Sequence, residues 1–231
     1  MISTRLQAII DLLKAENDKN TINIADIGSD HGYLLIELAK RNIGNKLFGV
    51  ENKAGPFEHL KTNIVKSLNK NEQDKIIISF SSGLEQVGNE YNTIVIAGMG
   101  FLTIKSIIES HKKQFGHIIF DTFIFDSHTM TAELRHYMHD NGFNIENEVC
   151  LYDKKVYYEI ILFKKSDELI NYNDIDYKYG PILRKNKNDD FIKYYSNQIL
   201  KLENQLNTIN FDEEKRNNKV KLMNEMKSII N

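Results

Sequence analysis

The chain has 231 residues, of which 41% are hydrophobic, and a formal net charge of −2. This length suffices for one α/β domain of ordinary size with an appended segment, and the near-neutral charge gives no whole-chain sign of a nucleic-acid partner. The one cysteine, Cys150, excludes an internal disulfide, and no apolar run is long enough for a signal peptide or a membrane span. We therefore expect a cytoplasmic protein without a membrane partner.

Short apolar runs alternate with amphipathic segments through residues 1–165. Residues 3–16 predict an amphipathic helix that covers the main domain, and further helices are expected at about 32–41, 55–69, 102–112 and 130–141. The expected strands are INIADIG, KLFGV, KIIIS, NTIVIAG, TFIFD, IENEVCLY and VYYEIILF. This alternation predicts a mostly parallel sheet with helices on both faces, and the polar break at Asp153 and Lys154 predicts an antiparallel hairpin at one sheet edge.

The C-terminal part of the chain follows a different period. Residues 166–188 lose the alternating pattern and, with Gly180 and Pro181, predict a linker. The next apolar residues form a heptad seam: Ile192, Tyr195, Ile199, Leu202, Leu206 and Ile209. A second stripe follows the turn at residues 210–212: Val220, Met223, Met226 and Ile230. Residues 189–231 therefore predict an antiparallel coiled-coil hairpin in a monomer, with dimerisation through the hairpin as the alternative.

Acidic residues and glycines follow the predicted strands, where open α/β sheets bind their ligands. The stretch IADIGSDHGYL at residues 24–34 carries Asp30 where a dinucleotide-binding motif has its second glycine, so a carboxylate would face a pyrophosphate there. A nicotinamide enzyme is therefore disfavoured, and no Walker loop is present. The other strand ends are Glu51-Asn52, Ser82-Gly83-Leu84, Ala97-Gly98-Met99-Gly100 and Asp126-Ser127-His128.

The first loop suits a positively charged ligand whose backbone approaches glycine closely. Glu51 lies 25 residues after Asp26, an offset at which a carboxylate binds ribose hydroxyls in this class of fold. A ribose combined with a cationic amino-acid group describes S-adenosylmethionine (SAM). The same residues also have purely structural interpretations, because Asp at a strand end often forms a turn or caps a helix.

The motifs ADIGSDHGYL, VENKAGPF, SGLEQV and IVIAGMG, with the C-terminal YGPILRKNKNDDFIKYY, resemble the bacterial TrmK family. These are SAM-dependent methyltransferases that modify N1 of adenine 22 in tRNA. The resemblance implies an α/β fold of class I (Rossmann-like) methyltransferase type, extends over nearly the whole chain, and implies SAM as the cofactor. It implies ten cofactor-binding positions: Asp26, Gly28, Asp30, His31, Glu51, Gly83, Leu84, Gly98, Met99 and Gly100. The neighbouring strand-end residues Ser29, Asn52, Ser82 and Ala97 complete the expected cofactor site.

The expected chemistry is mostly alignment, because N1 of adenine carries its own lone pair and needs no deprotonation. A carboxylate near the base would stabilise the positive charge that develops. Asp30 and Asp126 are the candidate carboxylates, and His31 and His128 are expected to assist orientation. The base must leave its stack to reach the site, where three side chains are candidates for stacking on it: Tyr33, Met99 and Phe101.

Residues 181–231 carry a net charge of +3, which favours contact with RNA phosphates. The candidate RNA-binding side chains are Arg184, Lys185, Lys187, Lys193, Lys215, Arg216, Lys219 and Lys221. No metal site is expected, since the histidines are scattered and one cysteine cannot supply a thiolate cluster.

Three departures from the family pattern keep other interpretations open. Ser82 replaces an aspartate, Phe101 replaces a glycine and is expected close to the cofactor, and residues 126–128 replace Gln-Pro-Asn. One alternative is a SAM methyltransferase that acts on another RNA site or on a small molecule. A second is a tRNA-binding module that has lost methyl transfer, and a third is a coiled-coil interaction protein.

Overall fold

The computed structural model describes residues 2–17 and 21–231, and its centre is a seven-stranded sheet. The strands are β1 (Ile24–Ile27), β2 (Leu47–Glu51), β3 (Ile76–Phe80), β4 (Thr93–Met99), β5 (Thr122–Ser127), β6 (Phe143–Asp153) and β7 (Val156–Lys165). Their order is β3-β2-β1-β4-β5-β7-β6, in which the first five are parallel and β7 runs antiparallel to both of its neighbours. The predicted mostly parallel sheet with an antiparallel hairpin at one edge is confirmed.

Helices connect the strands and cover both faces of the sheet. They are α1 (Thr4–Glu16), α2 (Tyr33–Lys40), α3 (Ala54–Ser67), α4 (Lys70–Gln73), α5 (Phe101–Phe115), α6 (Thr131–Asp140), α7 (Asp174–Tyr179), α8 (Pro181–Asn186), α9 (Asp189–Thr208) and α10 (Glu213–Ile230). The five helices predicted before residue 165 are confirmed, each with small differences at its ends. None of the described helices has the length and apolarity that crossing a lipid bilayer requires.

Alternating side chains of the central strands build two apolar layers. In β4, Ile94 and Ile96 pack with the α5 and α6 side chains, whereas Val95 packs with those of α1 and α2 on the other face. All four residues of β1 are buried, as expected for a strand covered on both faces. The sheet therefore holds the carboxyl ends of β1, β2 and β4 in fixed positions.

The segment that the sequence pattern predicted as a linker, residues 166–188, contains the short helices α7 and α8. A capping box starts α7, because the Asn173 side chain accepts from the Asp176 backbone and Asp176 reciprocates. Tyr179 and Leu183 are buried against Cys150 and α9. Hydrophobic periodicity does not predict helices as short as α7 and α8, since six residues form less than two helical turns.

The two C-terminal helices pack antiparallel, as the ion pair between Lys227 and Glu203 (2.8 Å) and the packing of Ile229 near Phe191 show. The predicted seam is partly shifted. Ile192 is 38% exposed, because Phe191 takes the inner position, and Ile209 is 48% exposed at the end of α9. The coiled-coil character of the pair stays a prediction.

Candidate active site

Two adjoining cavities open at the carboxyl edge of the sheet. The larger, of about 670 Å³, is bounded by the ends of β1, β2 and β4. The smaller, of about 570 Å³, lies between α1, the loop after β1, and α2. Four residues line both cavities: Arg5, Gly28, Asp30 and Ala97. The two spaces therefore meet where the first strand ends.

Most of the predicted site residues converge here. The larger cavity is lined by Gly28, Asp30, Glu51, Asn52, Ser82, Gly83, Ala97, Gly98, Met99 and His128. The smaller cavity adds Asp26, Ser29 and His31, together with the predicted stacking residue Tyr33. These residues are far apart along the sequence. They lie close together because the parallel strands end at the same edge of the sheet.

Four predicted positions lie outside the cavity walls. Leu84 is buried in an apolar cluster, and Gly100 starts α5. Phe101, expected close to the cofactor, is instead buried in the core with its ring edge-on to Tyr137 at 6.0 Å. Asp126 is fully buried and lines neither cavity, which leaves Asp30, His31 and His128 as the predicted catalytic side chains at the surface.

The loop after β1 depends on glycine at Gly28. Its φ of +80° is left-handed, and a Cβ atom there would lie 2.5 Å from the Met99 methyl carbon. The Ser29 hydroxyl fixes the same loop, because it donates to the Asp26 carbonyl (2.8 Å) and accepts from the Val50 N–H (3.1 Å). The loop is thus held tightly against β2 and β4 with its backbone at the cavity.

Glu51 forms the tip of β2 as an almost fully buried carboxylate. Its two oxygens accept backbone N–H groups from Asp30 (3.1 Å), Asn52 (2.9 Å) and Lys53 (2.8 Å). A carboxylate offers about four acceptor directions, so it can accept one further donor, such as a hydroxyl in the cavity. The side chain is therefore already oriented for a hydroxyl ligand.

Asp26 is 5% exposed, and no cation pairs with its carboxylate among the residues that the structure describes. Burial raises the pKa of Asp26 from its ordinary 3.8 to about 7, the Ser29 hydroxyl opposes the rise, and the charge of Glu51 adds to it. A positively charged ligand in the smaller cavity would favour the ionised form. The site therefore contains an acidic group poised for a cation.

Arg5, on α1, is the main residue that the sequence analysis missed. Its guanidinium lies 3.0 Å from Asp126 Oδ2 and 5.3 Å from the Tyr158 ring centre, and it lines both cavities. Burial raises the pKa of Asp126, while the charges of Arg5 and His128 act against the rise. No sequence pattern links residues so far apart, and Arg5 looks like one more polar residue of an amphipathic helix.

An exposed row of rings borders the smaller cavity. His31 stacks on His59 with ring centres 5.4 Å apart and lies 5.5 Å from Tyr33, which is 58% exposed. The Nε2 atom of His31 is 3.6 Å from the exposed Asp30 carboxylate. These rings give the mouth of the cavity a surface on which a flat group can stack.

Most cations predicted to bind RNA already have partners within the chain. Arg184 pairs with Asp176, Lys193 lies over the Tyr152 ring, Lys215 pairs with Asp212, Arg216 donates to the Leu206 carbonyl, and Lys219 donates to Gln205. Lys185 and Lys221 are exposed, and Lys187 ends α8. Carboxylates therefore offset the charges of Arg184 and Lys215, whereas Lys193, Arg216 and Lys219 keep their charges beside neutral partners.

Comparison with known proteins gives one family. The family described as "TrmK: tRNA (adenine(22)-N(1))-methyltransferase" matches residues 24–231. A Bacillus subtilis protein of that name is 28% identical over 204 residues, which cover 86% of this chain and 81% of the relative.

Two solved structures share the fold over the whole of this chain. Sp1610 of Streptococcus pneumoniae in complex with S-adenosyl-L-methionine has a TM-score of 0.84 at 25% identity, covering 100% of both chains. TrmK of M. capricolum, in complex with S-adenosyl-homocysteine, has a TM-score of 0.81 at 26% identity, covering 100% of this chain and 98% of that one. These similarities confirm the predicted class I methyltransferase fold.

Proposed function

This chain belongs to the TrmK family of tRNA (adenine(22)-N(1))-methyltransferases, and on this premise we propose that it transfers a methyl group from SAM to N1 of adenine 22 in tRNA. One observation of the structure supports this most directly. The acidic residues and glycines that follow β1, β2 and β4 surround the adjoining cavities at the edge of the sheet. Such an edge is where open α/β sheets hold a nucleoside cofactor.

The residues present fit SAM, which supplies an electrophilic methyl group when bound. The free acceptor direction of Glu51 suits a ribose hydroxyl, and the unpaired Asp26 carboxylate suits the ammonium group of the methionine part. Gly28 lines both cavities and has no side chain, which lets a ligand approach the backbone. Ser82 and Gly83, at the far end of the larger cavity, would flank the adenine ring.

For the methyl transfer itself, the protein has to orient the adenine base and stabilise the positive charge that develops on it. N1 attacks with its own lone pair, so no side chain has to remove a proton from it. The Asp30 carboxylate, whose side chain is 61% exposed and borders both cavities, would accept a hydrogen bond from the adenine amino group. As the base becomes cationic, that contact strengthens, which lowers the barrier.

Asp126 would act through Arg5 rather than on the base. Its carboxylate is fully buried, and the Arg5 guanidinium lies between it and the cavities. We assign Asp126 the role of a positioning residue that holds Arg5 beside Gly98 and His128. His128 lines the larger cavity and is placed to orient the incoming base.

The same proposal covers the cellular compartment of the protein and the domains of its chain. A tRNA substrate and a single cysteine support a cytoplasmic protein. Residues 1–165 would form the catalytic domain and residues 189–231 would contact RNA, with residues 166–188 joining them. The packing of α7 and α8 supports a joint that fixes the hairpin in one orientation.

The experiment that tests the function is a methylation assay on unmodified tRNA transcripts with SAM, followed by digestion and mass spectrometry. We expect 1-methyladenosine in a transcript with adenine at position 22 and none in a matched transcript with guanine there. Methylation of both transcripts would favour another RNA site. Binding of tRNA without methylation would favour the module that has lost catalysis.

A further inference from the structure

A polar groove lies between the closed end of the β6–β7 ribbon and α9. It has a volume of about 490 Å³, and the residues that form it include Tyr152, Lys155, Tyr194, Gln198 and Lys201. The groove combines ammonium, amide and hydroxyl groups. These are the groups that proteins use to bind phosphate oxygens.

Lys155 and Lys201 line the groove, and Lys154 lies next to Lys155 at the closed end of the ribbon. Lys154 and Lys155 form the two-residue turn of the ribbon, both with left-handed φ, and both are exposed. Lys201 is exposed on α9. In residues 2–17 and 21–231 none of these three lysines forms an ion pair. Their charge is therefore available to an anionic partner.

The nearby carboxylates are held by other groups and form no ion pair with these lysines in the described residues. Asp190 accepts the Tyr152 backbone N–H at 3.0 Å, and Glu203 is paired with Lys227. Asp153, on the other side of the turn, is directed at the Arg5 backbone N–H at 3.5 Å. The groove thus presents unpaired lysines beside carboxylates that already have partners.

The groove and the active site lie on opposite faces of the β6–β7 ribbon, near its closed end. Tyr157 borders the groove, and the next residue, Tyr158, lies against the Arg5 guanidinium on the opposite face. Only the thickness of one two-stranded ribbon separates the two places. A nucleic-acid strand that crosses the Lys154–Lys155 turn would contact both.

We propose that this groove binds the phosphodiester backbone of the tRNA close to the nucleotide that enters the active site. This proposal rests on the proposed function and specifies where the substrate is held. The contact is with phosphates rather than bases, because Tyr157 and Tyr194 already stack on each other with ring centres 3.9 Å apart. Their faces leave no gap for a base, whereas the lysines and amides around them remain accessible.

The test compares two double variants of the full-length protein. Lys155→Ala with Lys201→Ala removes two groove cations. Lys46→Ala with Lys113→Ala removes two exposed lysines, one just before β2 and one in the last turn of α5, both away from the carboxyl ends of the strands where the cavities lie. The net charge changes equally in both, so a difference between them reports position. Calorimetry measures SAM affinity, and tRNA binding is measured over a range of salt concentrations.

We expect the groove variant to bind SAM like the wild type but tRNA about tenfold more weakly at low salt. Its slope of log affinity against log salt should be less steep by about one for each lysine lost. The control pair should leave that slope near the wild-type value. An equal loss in both variants, or an unchanged slope in the groove variant, would overturn the proposal. Wild-type protein that neither binds nor methylates tRNA would instead contradict the proposed function.

Discussion

Charged side chains are buried in two regions of the molecule, and the regions differ in how many partners those side chains have. On the α6 side of the β6–β7 ribbon, Arg135 is fully buried and donates to Glu148 and Glu159, at 2.7 Å each, and to the Tyr177 carbonyl at 3.1 Å. At the active site, Asp26 has no cationic partner in the described chain. Asp126 pairs with Arg5 through Oδ2, but its buried Oδ1 atom accepts no hydrogen bond from a described residue. One region is internally satisfied and the other is not.

The satisfied cluster has an architectural role. Glu148 also accepts the Ile182 backbone N–H at 2.9 Å, so the cluster ties α6, the ribbon and the start of α8 together. Gly180 makes the close approach possible, since a Cβ atom there would lie 2.7 Å from the Glu148 carboxylate oxygens. The cluster thereby fixes the corner from which the C-terminal helices continue.

The Asp26 carboxylate, which lines the smaller cavity, suits ligand binding. A buried polar group without a partner costs free energy, and such groups concentrate where a ligand completes the set. The comparison therefore predicts opposite consequences of removing a charge in the two regions. Loss of charge from the Arg135 cluster should affect folding, and loss of charge from Asp26 should affect binding.

The largest effect is expected for Arg135→Met. This change leaves Glu148 and Glu159 buried without their cation, which should lower the free energy of unfolding by about 3–5 kcal/mol. The matched control is Arg41→Met, which breaks the partly exposed pair with Glu37 and should cost less than about 1 kcal/mol. Urea denaturation of both variants measures the difference. Equal stabilities would mean that the buried cluster contributes no more than a surface ion pair.

A second prediction concerns Asp26→Asn, which keeps the shape of the side chain and removes its charge. Hydrogen bonds to charged groups contribute about 1.5–3 kcal/mol, so SAM should bind roughly 10- to 100-fold more weakly. Stability of the free protein should not fall, because the lost carboxylate is buried without a cation. Calorimetric titration and urea denaturation of the same variant test both halves. Reduced stability with wild-type SAM affinity would mean instead that Asp26 supports the fold and does not bind SAM.

The same contrast explains how much of the molecule the sequence predicts. The first 165 residues alternate cleanly because strands buried on both faces are largely apolar, as in Ile94–Ile96 of β4. The site loops follow from that pattern, since ligands bind where parallel strands end. Local sequence therefore predicts most of the fold and the strand-end loops that line the cavities.

Contacts between distant elements could not be predicted in this way. Arg5 meets Asp126 only because α1 packs against the β6–β7 ribbon, which lies beside β5, and Arg135 meets Glu148 only in the folded sheet. Phe101 follows a glycine-rich turn, yet its side chain points into the core and not toward the cavity. Each of these depends on the direction of a side chain, which a strand or helix assignment alone does not fix.

The last prediction uses pH to test Asp26 without a substitution. Burial raises the pKa of Asp26 to about 7, above its ordinary 3.8 in an unfolded chain, so between these values the folded protein holds the extra proton. The contribution of Asp26 to the stability of the free protein therefore falls as pH rises from about 4 to about 7.

Binding of a cation should show the opposite trend, because the ligand prefers the ionised carboxylate. SAM affinity should rise by up to about tenfold per pH unit below 7 and level off above it. Calorimetric titrations between pH 5.5 and 8.5 measure this, and Asp26→Asn serves as the control in which the rise should vanish. If the wild type and the variant share one pH profile, another group titrates and Asp26 does not hold the cation.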